Sequence, residues 1–356
     1  MENFHHITNE YQLDELCRIS PKKYDPNKDT INYKCIELEH IEQNIGTING
    51  FTWSKNQQST KNKFNANHVL FGKLRPYLKK FYNPSFEGVC SSEIWVLEPT
   101  SIIKKDYLFY LIQSNKFITA ANISCGSKMP RADWDYMKEI SFSIPDFTSQ
   151  TKIATFLNLY YKKIELQRNK VKKFINFKHH VVKSVINNKG DKYQLCELCQ
   201  INKGQQLNKL NMLEYGQYKV YNGGISYSGY TNKFNTNENT ISISEGGNSC
   251  GFVNFINEKF WSGGHNYTLS NLKINTKYLY FILKSCQEDI MKLRVGSGLP
   301  NIQKSALEKF QVFIKKNNLS RNLCLFELLE KKNVLEQQKL ELLEKYKQGL
   351  LQKMFI

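Results

Sequence analysis

Two short polar segments hold the side chains of this chain that are best suited to contact a nucleic acid. Residues 71–80 place four lysine or arginine side chains within ten positions, and such cations bind backbone phosphates. Residues 221–230 mix three tyrosines with asparagine, serine and glycine. Amide side chains can pair with adenine edges, while hydroxyl and backbone amide groups can hold phosphates. These segments therefore predict recognition of a polyanion that carries hydrogen-bonding bases.

The candidate DNA contacts lie in these segments and in several nearby polar turns. His265 follows two glycines without an obvious serine or cysteine partner, and we interpret it as a structural or DNA-contacting residue. For any one position, the alternative is that tyrosine and glycine only build turns and a sheet face. The predicted contacts are Lys73, Arg75, Tyr77, Lys79, Lys80, Ser91, Ser92, Lys128 and Arg131 in the first half of the chain, and Tyr221, Asn222, Gly223, Tyr227, Ser228, Asn248, His265, Ser297 and Asn301 in the second.

Motifs that would indicate catalysis or a bound cofactor are missing or weak. The sequence has neither a Gly-x-x-x-x-Gly-Lys-Ser/Thr phosphate loop nor a Gly-x-Gly-x-x-Gly fingerprint. Residues 83–86 (Asn-Pro-Ser-Phe) resemble the Asn-Pro-Pro-Phe/Tyr motif of amino-methyltransferases, but serine replaces the second proline, which favours a simple turn. Cys196 and Cys199 have the spacing of half a zinc site, and no second pair completes it. We expect no metal and no cofactor on this chain.

The net charge of +18 indicates a polyanionic partner, and the charge is unevenly distributed. Residues 150–190 alone hold 10 basic residues and 1 acidic residue. No apolar run is long enough for a transmembrane helix, and the N-terminus lacks the features of a signal peptide. Nine cysteines, an odd number without a disulfide framework, fit a reducing compartment. We expect a cytoplasmic protein with no membrane partner.

A repeated motif indicates that the chain contains one module twice. Residues 11–19 (Tyr-Gln-Leu-Asp-Glu-Leu-Cys-Arg-Ile) return at residues 193–201 with seven of nine positions identical. Residues 126–130 (Gly-Ser-Lys-Met-Pro) match residues 296–300 (Gly-Ser-Gly-Leu-Pro). Both halves have the same order: repeated motif, mixed segment, Gly-Ser-x-x-Pro turn, short apolar strand and long helix. A doubled module predicts one activity exerted at two places.

Two long helices of matched length are predicted to follow the modules. Residues 148–190 carry side chains at alternating steps of four and three, which is typical of a coiled-coil seam; the predicted seam residues are Ile153, Leu157, Tyr160, Ile164, Gln167, Val171, Phe174, Lys178, Val181 and Val185, with Gln167 and Lys178 as polar interruptions. The first helix enters the second module and the second helix leaves it, so we expect an antiparallel pair with an approximate two-fold axis. The alternative is two unrelated amphipathic helices, each packed on its own module. In residues 320–356 the predicted apolar stripe is formed by Leu325, Leu328 or Leu329, Leu335, Leu342 or Leu343, Tyr346 and Leu350.

Each module is predicted to have mixed secondary structure with a curved or barrel-like sheet. The resulting fold class is α+β: two pseudo-twofold-related α/β domains, at residues 1–147 and 191–319, separated by a pair of long antiparallel helices at 148–190 and 320–356. The predicted strands are Tyr33–Leu38, His68–Leu74, Val89–Leu97, Gln217–Tyr221, Thr240–Ser244, Gly251–Ile256 and Asn266–Ser270, and the predicted module helices are Asp106–Asn115 and Thr276–Leu293.

Together these motifs resemble the specificity (S) subunit of type I restriction-modification systems. The resemblance covers nearly the whole chain and rests on the repeated Leu-x-Glu-Leu-Cys start and the Gly-Ser-x-x-Pro turn. It also rests on the link at residues 144–157 and on residues 345–355 at the end of the chain. Residues 71–77 with 90–93 resemble one type of target-recognition domain. Residues 221–229 with Gly264 and His265 resemble another.

The resemblance implies a non-catalytic subunit that reads a bipartite, asymmetric site on double-stranded DNA. The two modules would be target-recognition domains, one for each half of the site. The helices would space these domains and dock two methyltransferase subunits, and restriction subunits would complete the complex. S-adenosylmethionine, ATP and Mg are then expected on those partners.

Two other classes of function stay open on the residues alone. The chain could be a self-contained DNA methyltransferase or nuclease with its own recognition domains, or a helical scaffold with no DNA role. The basic first helix has three interpretations: it lies over the DNA spacer, it faces acidic partner subunits, or its charges are merely solvated.

Overall fold

The structure, a computed structural model, describes residues 8–123, 129–187, 190–296, 298–315 and 318–355. Within these residues the chain forms two compact units. The first unit contains residues 8–168 together with 339–355, and the second contains residues 169–338. Each unit therefore combines one module with a stretch of each long helix.

The first module alternates short strands with four short helices. Its strands are β1 (Thr8–Gln12), β2 (Cys17–Ile19), β3 (Lys23–Tyr24), β4 (Lys34–Ile36), β5 (Thr52–Trp53), β6 (Lys61–Phe64), β7 (Val69–Gly72), β8 (Phe81–Tyr82), β9 (Gly88–Cys90), β10 (Ile94–Pro99) and β11 (Ser141–Pro145). Its helices are α1 (Leu13–Leu16), α2 (Lys105–Leu111), α3 (Asn115–Asn122) and α4 (Trp134–Met137). The long helix α5 (Phe147–Asn187) follows directly.

The second module begins and ends in the same way but has fewer strands. Its strands are β12 (Asp191–Gln194), β13 (Gln200–Lys203), β14 (Tyr218–Tyr221), β15 (Gly229–Thr231), β16 (Thr240–Ser244), β17 (Val253–Ile256), β18 (Phe260–Ser262), β19 (Asn266–Ser270) and β20 (Gln311–Ile314). Its helices are α6 (Leu195–Leu198), α7 (Thr276–Ser285), α8 (Gln287–Met291) and α9 (Lys304–Glu308). The long helix α10 (Leu319–Met354) follows β20.

The two modules share a framework of strands. In each module the first strand pairs antiparallel with the last, β1 with β11 and β12 with β20. A four-stranded sheet has the order β2-β10-β7-β8 in the first module and the equivalent order β13-β19-β16-β17 in the second. The remaining sheets differ: the first module has a five-stranded sheet, β3-β6-β9-β4-β5, and the second a three-stranded sheet, β15-β14-β18. The modules thus combine an equivalent frame with different additions, and each has several small sheets rather than one curved sheet.

The repeated sequence motif forms the strand–helix–strand corner of this frame. Leu13, Leu16 and Cys17 are buried in the first unit, and the corresponding Leu195 and Leu198 are buried in the second. The glutamine before each short helix and the glutamate at its third position cap each other's backbone amides. The motif recurs because its apolar side chains and its capping pair are structural.

The two long helices contact each other in an antiparallel arrangement within each unit. In the first unit Arg168 donates to Glu344 Oε1 at 2.6 Å. In the second unit Lys170 donates to Glu336 Oε1 at 2.8 Å and Lys178 donates to Glu330 Oε2 at 2.6 Å. Here the residue number on α10 falls as the number on α5 rises, so the predicted antiparallel pairing is confirmed. The two-fold relation between the modules stays a prediction.

The predicted apolar stripe of α10 is wrong at Leu325, Leu335 and Tyr346, which are exposed, whereas Leu329, Leu343 and Leu350 are half-buried. Leu325, Leu328 and Leu335 are exposed, whereas Asn333 and Glu336 are buried on the side that packs within the unit. Burial of a carboxylate is costly unless it is paired, and Lys170 and Lys332 both lie 2.8 Å from Glu336 Oε1. These ion pairs allow polar residues to occupy the buried positions of the seam. The spacing of the leucines predicted other positions as buried. The exposed members of the predicted stripe also include Leu342 and Tyr346.

The buried seams show that α5 and α10 are repeats of one helix. Leu157 and Phe326 are both buried, as are Ile186 and Phe355, and each pair is 169 positions apart. The seam predicted for α5 is confirmed at Leu157, Ile164 and Val171, which are buried. Near its end the buried positions shift to Val182 and Ile186, because a straight helix drifts relative to a strict heptad.

Most predicted module elements are present with shorter bounds. Residues predicted as the strand Val89–Leu97 form β9 and β10, which are separated by a turn at residues 91–93. The predicted helix Thr276–Leu293 is also wrong as one element, since Cys286 separates α7 from α8. Among the described residues, no helix is both long enough and apolar enough to span a bilayer.

Candidate nucleic-acid interface

In the first unit, three of the predicted basic residues meet near Glu93. The amide of Lys73 donates to the Glu93 carbonyl at 2.9 Å, and the amide of Arg75 donates to the Pro130 carbonyl at 2.7 Å. Arg131 lies next to them, since its backbone pairs with that of Leu74. The segment after β7 is therefore held between the β9–β10 turn and residues 130–132, and cations distant in sequence share one loop cluster.

The guanidinium of Arg131 is already engaged in this cluster. Its Nη2 donates to Glu93 Oε1 at 2.8 Å and its Nε to Glu93 Oε2 at 3.0 Å. The hydrogen bond from Arg131 holds the pKa of the Glu93 carboxyl below its ordinary value. Arg75 is exposed and adopts a left-handed backbone with φ of 52°. Lys73 and Arg75 are thus the cations of this cluster that keep free donors for a phosphate, while Arg131 positions the turn.

The other predicted contacts of the first unit occupy different surroundings. Tyr77 and Ser92 are exposed and Ser91 is half-buried. The Lys80 ammonium donates to the Leu38 carbonyl, and burial lowers its pKa, so this lysine is tied to the structure. Lys79 lines a separate cavity against the long helices. Lys128 lies outside the described residues.

In the second unit, four of the predicted contacts surround one cavity of about 450 Å³. Asn222 and Gly223 come from the turn after β14, His265 precedes β19, and Asn301 follows the Gly-Ser-x-x-Pro segment. Asn222 Oδ1 accepts from the amide of His265 at 3.3 Å, which fixes two of the turns together. Three segments that are far apart in sequence therefore line one opening, as a composite recognition surface requires.

The turns at this cavity depend on glycine. Gly223 has a φ of +79°, and an added Cβ would lie 2.4 Å from the carbonyl oxygen of His265. Any larger residue would therefore push the β14 turn away from His265. Gly247, after β16, also has a positive φ of +73° but faces open space, so its role is confined to the backbone conformation.

A buried carboxylate, Glu245, lies in the wall of the same cavity. Its Oε1 accepts from Lys203 Nζ at 2.8 Å and from the Tyr267 hydroxyl at 3.0 Å. Its Oε2 is buried and has no hydrogen-bond partner among the described residues, although His265 Nδ1 lies 3.8 Å away. Burial, followed by Glu245, raises the pKa of the Tyr267 hydroxyl, so Tyr267 stays a donor. Glu245 is therefore a fixed anionic acceptor with one oxygen unused.

Three further predicted residues of the second unit, Tyr221, Tyr227 and Ser228, belong to the β14–β15 hairpin. Tyr221 is half-buried and packs on Phe260 with a centroid distance of 5.4 Å. Tyr227 is exposed, and Lys219 Nζ lies 5.4 Å from the centre of its ring. Ser228 and Asn248 are exposed, and Ser297 lies outside the described residues. The hairpin thus presents an aromatic and cationic edge.

Glu245 and Lys203 are site residues that the sequence analysis missed. The signal available was an acidic residue directly before two glycines at the end of a predicted strand, in an otherwise basic chain. The ion pair between Glu245 and Lys203 joins β13 to the end of β16, and no local sequence pattern predicts it.

The two cysteines with the spacing of half a zinc site differ in their surroundings. In the part of the chain that the structure describes, no group of three or more potential ligands (His, Cys, Asp or Glu) is close enough to hold a metal ion. Cys196 is exposed, whereas Cys199 is buried, which raises the pKa of its thiol to about 12. Asn83 donates to Asp106 Oδ1 at 3.0 Å from a turn, as interpreted from the sequence.

The basic charge of α5 is partly neutralised by α10. Arg168, Lys170 and Lys178 each pair with a glutamate of α10 in their own unit. Other lysines of α5, including Lys162 and Lys172, stay exposed. A contact with a further partner can therefore involve only part of the positive charge.

Comparison with known proteins identifies the family. The model for the type I restriction modification DNA specificity domain matches the chain twice, at residues 8–176 and 187–345. The chain belongs to this family, which confirms the resemblance inferred from its motifs. Three curated relatives of the chain are named specificity subunits.

Two of these relatives come from mycoplasmas. A putative type I specificity subunit of Mycoplasma genitalium is 40% identical over 118 residues, which are 32% of this chain and 30% of the relative. A putative type I specificity subunit of Mycoplasma pneumoniae is 38% identical over 134 residues, 37% of this chain and 36% of the relative. The matched segment spans about a third of the length of these relatives.

Solved structures share the fold across the whole chain. The crystal structure of a type I restriction-modification S subunit from M. genitalium has a TM-score of 0.61 at 18% identity, covering 100% of this chain and 98% of that chain. A chain from a structure that describes complex assembly and conformational transition of the type I R-M system has a TM-score of 0.62 at 15% identity. The match covers 97% of this chain and 96% of that chain. At these identities the likeness concerns the fold.

Proposed function

We propose that this chain is the DNA-recognition subunit of a type I restriction-modification complex and that each unit reads one half of a bipartite site. The observation that carries the proposal is the equivalent strand order of the two four-stranded sheets, to which each module adds a different further sheet. A shared frame holds both reading surfaces in the same way. Different loops read different bases, so the full site is asymmetric.

Recognition in the second unit depends on the cavity around Glu245. In the complex, a shift of the exposed His265 side chain would open the buried Oε2 to an exocyclic amino group, such as N4 of cytosine, in the major groove. The amide of Asn222 and the imidazole of His265 lie at the same opening. In the first unit, Lys73 and Arg75 bind phosphates, which fixes the position of the domain on the duplex.

Exposed apolar residues of the long helices support the docking of two copies of one partner. When α5 and α10 are aligned by their seams, Leu159 corresponds to Leu328, and these residues are 65% and 60% exposed. The same correspondence holds for Phe156 with Leu325, Leu166 with Leu335, and Phe177 with Tyr346, all of them exposed. Each unit thus carries an equivalent set of apolar side chains on its helices. Two methyltransferase subunits can use these sets.

The chemistry of the complex would reside on its partners. S-adenosylmethionine would bind to the methyltransferase subunits, and ATP and Mg to the restriction subunits. The role left to this chain is to choose the site and to hold the catalytic subunits there.

An assay of methyl transfer separates this function from that of a self-contained enzyme. The purified chain is incubated with duplex DNA and labelled S-adenosylmethionine, with and without a methyltransferase subunit of a type I system. We expect label in DNA only when the partner is present. Methyl transfer by the chain alone would favour the self-contained enzyme. Absence of DNA binding by the chain at moderate salt, measured by filter binding, would favour a scaffold.

A further inference from the structure

The first unit contains a polar cavity of about 380 Å³ that lies away from the loop cluster at Glu93. It is enclosed by residues 43–45, by the junction of α2 with α3, and by the first unit's parts of α5 and α10. Its charged residues are Lys79, Arg168, Lys347 and Glu344. Three cations thus face the cavity with one carboxylate.

Lys347 is the cation most removed from water. Its ammonium donates to Gln113 Oε1 at 2.9 Å and lies 5.3 Å from the centre of the Tyr161 ring. Among the described residues it makes no ion pair. Burial and the neighbouring Arg168 lower the pKa of Lys347 to about 8, although Glu344 opposes this shift. An ammonium with three donors therefore has a single neutral acceptor.

The other polar groups of the cavity also have unused capacity. Arg168 directs both Nε and Nη2 to one oxygen, Glu344 Oε1, at 2.9 and 2.6 Å. The Tyr161 hydroxyl is buried close to Thr47, and it has no hydrogen bond of acceptable geometry among the described residues. Several donors are therefore available to an acceptor that enters the cavity.

The repeat provides an internal comparison in the second unit. Residues 107–114 (Tyr-Leu-Phe-Tyr-Leu-Ile-Gln-Ser) correspond to residues 278–285 (Tyr-Leu-Tyr-Phe-Ile-Leu-Lys-Ser). The equivalent cavity, of about 220 Å³, is lined by Lys178, Lys284, Glu288 and Glu330, together with His179. By the helix alignment Lys178 takes the place of Lys347.

The two cavities differ in the group that faces this lysine. In the second unit Lys178 donates to Glu330 Oε2 at 2.6 Å. By the same alignment Glu330 takes the place of Tyr161, which has no negative charge. The second unit thus supplies an anion from its own chain at a position where the first unit leaves the lysine without one.

We propose that the cavity of the first unit binds a small oxyanion, namely a phosphate group that is either free or the monoester of a small molecule. Lys347 and Arg168 supply the positive charge, and the Tyr161 hydroxyl donates a hydrogen bond. The amide side chains of Asn44 and Gln348 line the same space and can bind the remaining oxygens. This site is separate from the loops proposed to read DNA and does not depend on that function.

The test measures binding of inorganic phosphate to the full-length chain without DNA at constant ionic strength, by calorimetry at 25 °C and by the thermal shift against chloride. Lys347→Met keeps most of the side chain and removes its charge. Lys178→Met is the matched control at the equivalent position of the second unit. We expect phosphate to bind the wild type and the control alike, and at least tenfold more weakly to Lys347→Met.

Tyr161→Phe is a second test that does not depend on Lys347, and it should leave the fold intact because it removes one hydroxyl only. We expect it to weaken phosphate binding several-fold without lowering the melting temperature in chloride. Adenosine monophosphate in place of phosphate distinguishes the two sources: tighter binding indicates a phosphomonoester, and equal or weaker binding indicates the free ion. Absence of phosphate binding to the wild type, or equal affinity of wild type and Lys347→Met, would overturn the proposal.

Discussion

Replacement of Glu245 by glutamine tests how the second unit chooses its bases. The change keeps the shape of the side chain, so its oxygen can still accept from the Tyr267 hydroxyl, 3.0 Å away in the wild type. It removes the charge that faces Lys203, whose side chain is 56% exposed. Glu245 is buried, but the charge that remains on Lys203 is exposed and can be solvated by water, so we expect a loss of stability of about 1 kcal/mol or less.

The effect on DNA binding should be larger and local. A mismatched base pair in a recognition site costs about 1–3 kcal/mol. At about 1.4 kcal/mol per tenfold change, discrimination at one base pair should fall by about tenfold or more. All other positions of the half-site, and the whole of the other half-site, should keep their preference.

The assay selects bound sequences from a randomised duplex pool, using the chain assembled with its methyltransferase subunits. Glu327→Gln is a suitable control, because Glu327 also pairs with a lysine of the second unit, Lys277 at 2.9 Å, but on α10. We expect the control to reproduce the wild-type site. Unchanged discrimination in Glu245→Gln, or a change in both half-sites, would refute the assignment of Glu245 as a base contact.

Three further predictions concern phosphate contacts, docking and pH. Joint replacement of Lys73 and Arg75 by alanine should weaken DNA binding and reduce the slope of log K against log salt by about 2, since each phosphate contact contributes about 0.9; an unchanged slope would exclude both residues. Leu159→Ser and Leu328→Ser should each cost the complex one methyltransferase copy, measured by native mass spectrometry, and retention of two copies by both variants would contradict the docking faces. The pKa of Lys347 is lowered to about 8 in the folded chain, so between about pH 8 and pH 10.5 the unfolded chain binds more protons than the folded chain. The free energy of unfolding of the wild type therefore rises with pH in this range. Lys347→Met should lose about 3 kcal/mol of that gain in denaturant titrations, and an identical pH profile would show that the lysine is not desolvated.

The repeated frame could be predicted from the sequence because its signals are local. The motif at residues 11–19 and 193–201 combines buried leucines with a capping pair three residues apart, so identity survives in both copies. The spacing of apolar residues likewise located α5 within a few residues of its ends. The equivalence of residues 107–114 and 278–285 was harder to detect, since similar apolar side chains replace one another there.

The seam of α10 and the cavity at Glu245 could not be predicted, because both depend on pairs between distant residues. Glu336 is buried since Lys170 and Lys332 accompany it, and no periodicity of apolar residues contains that information. Glu245 became a candidate only when the fold placed it beside Lys203 and Tyr267. The composition of the loops indicated candidate contacts, but only the tertiary structure shows which of these contacts lie together.

The division of labour between the two units is tested most directly by exchanging one module. Residues 191–314, from β12 to β20, are replaced by the corresponding module of another member of the family, and both long helices are kept. The methylated sites of the reconstituted complex are then mapped by sequencing. We predict that one half-site changes while the other half-site stays as in the wild type. A change in both half-sites, or in neither, would contradict the assignment of one half-site to each unit.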